Sequence, residues 1–100
     1  MLKSRRSKKC DISQKVKNIV WERDLHRCIF CGRSQGMPNA HYISRAKGGL
    51  GIEQNIVSLC IICHNNFDNS DMRNYYKEYI RNYLISKYPD WKEEDLIYRK

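Results

Sequence analysis

The sequence predicts a small α+β domain, with helices on either side of a loop-rich centre that carries two short strands. Three observations predict it. Apolar residues recur at helical spacing towards both ends, glycines concentrate in the middle, and two Cys-x-x-Cys pairs bracket that middle. At 100 residues the chain builds a single core, because chains divide into separate domains only well above this length. With only two Phe and two Trp among 41% apolar residues, that core is marginal, and a staple is expected. Five cysteines are available to supply one.

The chain opens on Lys3, Arg5, Arg6, Lys8 and Lys9, with no apolar residue among positions 3–9. Residues 1–11 therefore read as a flexible basic tail, either simply solvated or an arm that settles on phosphates. A helix is expected over about residues 12–24, where Val16, Ile19, Val20 and Arg23 recur at helical spacing, Ser13 can cap the start, and Ile19, Val20 and Trp21 pack on the core. Gly32, Gly36, Gly48, Gly49, Gly51 and Pro38 mark the centre as loops and short strands. Its two apolar stretches, residues 40–43 and 56–59, read as a hairpin with a long loop. Helix returns over about 61–67 and again over 71–87, where Met72, Tyr76, Ile80, Tyr83 and Leu84 form one buried face and Pro89 ends the run. Residues 12–90 are thus the domain, and 91–100 a short C-terminal extension.

Lys and Arg total 19 against 11 Asp and Glu, a net charge of +8, which favours a polyanionic partner, nucleic acid above all. No stretch approaches the roughly 20 apolar residues that cross a bilayer, and no apolar signal core follows the basic start. The expectation is a cytoplasmic protein with no membrane partner. In a reducing compartment paired cysteines serve as metal ligands more often than as disulfides. Cys28-Ile-Phe-Cys31 and Cys60-Ile-Ile-Cys63, separated by residues 32–59, are spaced so that two knuckles can converge on one tetrahedral Zn²⁺, with Gly32 permitting the tight turn after the first. Four thiolates leave no open position. Such a zinc is structural and stabilises the fold by on the order of 10 kcal/mol; two disulfides are the competing reading. Cys10 is left over as an unliganded thiol.

Of the three histidines, only His41 lies between the cysteine pairs, and His64 directly follows the second. The stretch AHYISRAKGGLGIEQNIVSLCIICHNNFDN, residues 40–69, resembles the HNH endonuclease family. That family has a His on its first strand, an Asn in or near the loop before the second, and a His on the following helix. His41, Asn55 and His64 fall on those three letters, with Gly48-Gly49 between and the second cysteine pair closing the motif. The resemblance spans about residues 13–70. It implies a ββα-metal core stapled by a four-cysteine zinc and flanked by helices. It also implies metal-dependent cleavage of DNA to a 5′-phosphate and a 3′-hydroxyl, and an origin in phages or mobile elements. His26, outside the motif, reads as an ordinary surface or core histidine.

The chemistry can be argued independently of the family. Hydrolysis of a phosphodiester anion needs a base to deprotonate water and a cation to neutralise charge that builds on the phosphate and leaving oxygen. Histidine suits the base, because its unperturbed pKa of about 6.5 leaves it largely neutral near pH 7. His41 is the candidate, and the resemblance makes Asn55 the residue that orients it. His64 and Asp68 stand four residues apart on a helix, so both project from one face and can hold a divalent ion, Mg²⁺, Mn²⁺ or a later transition metal. A salt bridge from Asp68 to Arg73, or a helix-end cap, is the alternative for that carboxylate. Arg45 and Lys47, just beyond His41, are the candidate phosphate contacts, joined by Lys3, Arg5, Arg6, Lys8 and Lys9 of the tail.

The family pattern is broken at one place. Many members carry Asp or His immediately before the base as a further ligand, and here that residue is Ala40. Ala40 is the one hint of a rival reading, a decayed, zinc-stabilised module that binds DNA without cutting it. A nuclease acting on RNA or on structured nucleic acid is a second rival, since phosphates dominate all such binding. Tyr75 and Tyr79, off the buried stripe, are the candidate interface of a homodimer.

Overall fold

The computed structural model describes the backbone of residues 5–99 and the side chains of residues 8–99. Four helices surround a two-stranded antiparallel sheet: α1 (Arg5–Cys10), α2 (Gln14–Arg23), β1 (Met37–His41), β2 (Ile56–Leu59), α3 (Ile61–Asn69) and α4 (Arg73–Lys87). The expected α+β class holds. None of these helices is long and apolar enough to cross a membrane.

Local chemistry sets the boundaries. Ser13 caps α2 as expected, its Oγ accepting from the Val16 N–H at 3.1 Å, which satisfies a donor that has no partner within the helix. Beyond α2 the chain turns through two residues with left-handed backbone, Leu25 (φ 59°) and His26 (φ 57°), a conformation costing non-glycine residues roughly 1–2 kcal/mol each. Backbone hydrogen bonds from Leu25 to Glu22 and from His26 to Trp21 hold this turn, while the His26 ring stacks on Trp21 and its Nε2 meets Glu22 at 2.7 Å.

In the sheet, Ala40 pairs with Val57 and His41 with Ile56, and an irregularity between Met37 and Ala40 bends β1. Every residue of β2 is buried. Elements packed on both sides of the hairpin leave no solvent face for alternation to mark. The α4 stripe is buried at Tyr76, Ile80 and Leu84 and partly buried at Tyr83, whereas Met72 lies before the helix and is exposed. Val20 of α2 is fully buried, Ile19 and Trp21 partly so.

Two boundaries expected at the ends of the domain are corrected. Residues 1–11 are not wholly a flexible tail, for Arg5–Cys10 is helical and Cys10 is buried. The extension 91–100 is likewise not separate from the domain, for residues 91–98 pack against it. Leu96 is buried, Trp91 meets Tyr42 edge-on and donates from Nε1 to the Gln54 carbonyl, and backbone bonds join Leu50 to Leu96 and Tyr98 to Gly48.

A polar hub ties α2 to the sheet and to α4. Arg23 grips Asp24 through two hydrogen bonds, at 2.7 and 3.1 Å, and donates to the carbonyls of Glu53 and Ile56 and to the Tyr88 hydroxyl. Asp24, itself buried, also accepts from the Ser58 N–H and the Tyr83 hydroxyl. Burial disfavours the Arg23 charge, but the carboxylate of Asp24 outweighs it and the guanidinium pKa rises. Burial and the Asp24 carboxylate together push the Tyr83 hydroxyl up.

Candidate metal centre and histidine site

The cysteine pairs converge. One ligand atom from each of Cys28, Cys31, Cys60 and Cys63 lies within 4.8 Å of every other, and Cys31 Sγ approaches Cys60 Sγ to 3.5 Å. Four sulfurs at about 2.3 Å from one tetrahedral ion stand about 3.8 Å apart, so the cluster has the size to hold a metal ion such as zinc. No disulfide links them; all five cysteines are free. The knuckles form because the turn after each first cysteine aims backbone N–H groups back at its sulfur: Cys31 N–H at Cys28 Sγ and Cys63 N–H at Cys60 Sγ, each at 3.5 Å. Gly32 completes the first knuckle at φ 81°, its N–H bonded to the Cys28 carbonyl. The second knuckle starts α3, with Cys60 as its cap.

The thiols do not ionise alike. Burial alone would raise Cys28, but backbone N–H groups of Cys31, Cys60 and Phe30 outweigh it and bring its pKa to about 7. Cys63 is pushed up to about 12, by burial first, with Cys60 and Cys28 adding and the Tyr76 hydroxyl opposing. Four thiolates side by side call for a cation among them, a charge that a divalent ion in the cluster would supply. Cys10 is buried apart from this cluster.

His41 ends β1 and is half-buried. Its Nε2 lies 2.9 Å from the Cys10 carbonyl oxygen. A carbonyl only accepts, so Nε2 carries the proton and, in the neutral ring, Nδ1 carries the lone pair. Burial holds the imidazole below its ordinary value; the Cys10 carbonyl opposes this, and the charges of Arg45 and His64 reinforce it.

Asn55 is fully buried at the end of the long loop. Its Oδ1 accepts from the Ile43 N–H at 2.8 Å, and its Nδ2 donates to the Ile43 and Leu50 carbonyls at 3.1 and 2.8 Å. It bonds to the backbone beyond His41, not to the imidazole, and so fixes the loop that leaves β1. On α3, His64 Nε2 and Asp68 Oδ2 stand 3.3 Å apart on one face, and the described contacts pair Asp68 with His64 rather than with Arg73. Among the described residues only the four cysteines form a metal-binding group of three or more. Ala40 is buried in the core cluster, and Asn39 buries its Oδ1 without a partner.

The basic candidates fall into two groups. Arg45 and Lys47 share a short 3-10 turn. Arg45 is held there, donating to the Cys10 carbonyl at 3.0 Å and to Asp11 Oδ1 at 2.7 Å. Lys8 and Lys9 are exposed at the end of α1, which the Lys9 carbonyl ties to the Gly51 N–H at 2.9 Å. The fold thereby sets the basic end of α1 beside the Arg45–Lys47 turn. Only the helical backbone of Arg5 and Arg6 is described, and Lys3 lies outside the described residues. Tyr75 and Tyr79 are exposed and both meet Phe30 edge-on, while the Tyr79 hydroxyl donates to the Ile29 carbonyl.

Sequence reasoning missed Cys10 and Asp11, whose role is played by a backbone carbonyl and a loop carboxylate that no motif marks. It also missed the Arg23–Asp24 hub. No protein-family model matches the chain, and neither a curated protein nor a solved structure matches it.

Proposed function

We propose that the chain is a metal-dependent endonuclease of the HNH type, with a ββα-metal core formed by β1, β2 and α3 and a structural Zn²⁺ on Cys28, Cys31, Cys60 and Cys63. The observation that carries the reading is the setting of His41: its Nε2–H is committed to the Cys10 carbonyl, which leaves Nδ1 as the base, burial holds the imidazole below its ordinary value, and α3, packed on the sheet, presents the His64–Asp68 pair. Cis ligands of an octahedral ion at about 2.1 Å are about 3 Å apart, close to the 3.3 Å between His64 Nε2 and Asp68 Oδ2. His64 and Asp68 are the residues that would hold a divalent cation, which would supply positive charge at the phosphate and the departing 3′ oxygen.

His41 Nδ1 takes a proton from water as the water oxygen bonds to phosphorus. The bond from phosphorus to the 3′ oxygen breaks, that oxygen takes a proton from solvent, and a 5′-phosphate and a 3′-hydroxyl result. Asn55 holds the loop behind the base, and Arg45, Lys47, Lys8 and Lys9 meet neighbouring phosphates. His64 and Asp68 are two ligands only, so an ion held by them would keep positions for water and substrate oxygens.

The test is nicking of plasmid DNA with and without added Mg²⁺ or Mn²⁺. His41→Ala is expected to keep its zinc and its DNA affinity while cleavage falls by roughly 10²–10⁴-fold, the range for loss of a general base. Because the base works unprotonated and burial holds it below the ordinary value, wild-type cleavage should persist as pH falls through about 6.5 and decline only below that. A fully active His41→Ala variant removes His41 from the mechanism. A wild-type protein that shifts DNA without cutting it is a binding module, and one that cuts RNA alone is a ribonuclease.

A further inference from the structure

We propose that residues 9–11 form a latch that positions both the base and its neighbouring cation, making the end of α1 a working part of the nuclease site. For its catalytic consequence the proposal rests on the nuclease reading above.

Four hydrogen bonds converge on this short segment. The Cys10 carbonyl accepts from His41 Nε2 at 2.9 Å and from Arg45 Nη1 at 3.0 Å, so one oxygen sets the direction of both side chains. Asp11 Oδ1 takes the other arm of the same guanidinium at 2.7 Å. The Lys9 carbonyl anchors the segment to the Gly51 N–H at 2.9 Å. Gly51 is where the segment and the loop touch most closely. A Cβ there would stand 2.0 Å from the Asp11 carbonyl oxygen and 3.0 Å from that of Cys10, so only glycine lets the segment lie down on the loop. Lys8 directly precedes the latch and Lys9 begins it, and phosphates that engage them pull on the backbone that orients His41.

Gly51→Ala tests this without altering a residue of the proposed chemistry. In the wild-type protein, nitrogen-15 NMR should show a His41 Nε2–H signal protected from exchange with water, since its acceptor is a half-buried carbonyl. In Gly51→Ala that signal should be lost to exchange, and kcat should fall about tenfold or more with KM for DNA nearly unchanged, as misplacement of a reacting group predicts. Asp11→Ala inserts no atom and removes one of the two hydrogen bonds by which the segment holds Arg45. It should move the same signal in the same direction, and it decides the matter if Gly51→Ala fails to fold. An unchanged signal and rate in both variants overturn the latch, and a raised rate shows that the segment covers the base rather than positions it. If the wild-type protein does not cleave, the NMR signal still decides the latch, and the failure falls on the nuclease reading alone.

Discussion

The cysteine cluster and the histidine site draw on adjacent stretches of one chain and use their ligands in opposite ways. At the cluster two separate knuckles bring four sulfurs within 4.8 Å, and three of the four cysteines are buried. At the histidine site a single helix offers two groups, His64 and Asp68, with side chains 30% and 55% exposed. The first arrangement joins distant segments and would saturate an ion. The second joins nothing that α3 has not already joined and would leave an ion open to solvent. Stability should therefore depend on the first and chemistry on the second.

Removing the cluster's ion should produce the largest effect. Cys60→Ser, or a chelator strong enough to strip zinc, forfeits on the order of 10 kcal/mol, comparable to the whole stability of a small domain at about 5–15 kcal/mol. Loss of the helical circular-dichroism signal in step with zinc release is expected; a folded, metal-free chain would break the comparison. Asp24→Ala comes next. It leaves the Arg23 guanidinium buried without its carboxylate and takes the acceptor from the Ser58 N–H and the Tyr83 hydroxyl, which costs about 3–5 kcal/mol for a buried pair. Denaturant titration at saturating zinc measures it. A loss under about 1 kcal/mol would mean that the Glu53 and Ile56 carbonyls and Tyr88 suffice for Arg23.

These two clamps differ in how far the sequence announced them. The cysteines were legible because ligation needs fixed side-chain types at fixed spacing, and the helices of residues 14–23 and 73–87 because burial repeats every turn. The hub was not. Arg23 read as one position on a helical face, and Tyr88, which it bonds, and Ser58 and Tyr83, which bond Asp24, are brought together only by tertiary packing. Strand β1 was placed three residues late at its start, because its irregular register hides the alternation that would mark it. At the histidine site His41, His64 and Asp68 were legible as residue types, whereas the carbonyl that fixes the His41 tautomer belongs to backbone. Backbone contacts leave no trace in composition.

The smallest effect on stability is expected from Asp68→Ala, which makes it the sharpest test of the contrast. An exposed pair at this helical spacing contributes about 0.5 kcal/mol or less, so melting and zinc content should hardly move. Cleavage should nonetheless fall, because His64 is left as the one side-chain ligand of the divalent ion, and raising Mn²⁺ should recover part of the lost rate by mass action. The His41→Ala defect, by contrast, should not respond to added metal. Unchanged cleavage in Asp68→Ala would place the ion elsewhere, and a marked drop in melting temperature would make Asp68 a structural residue like Asp24. The two outcomes erase the contrast from opposite sides, since one denies the open site its ligand and the other gives it a share in holding the fold.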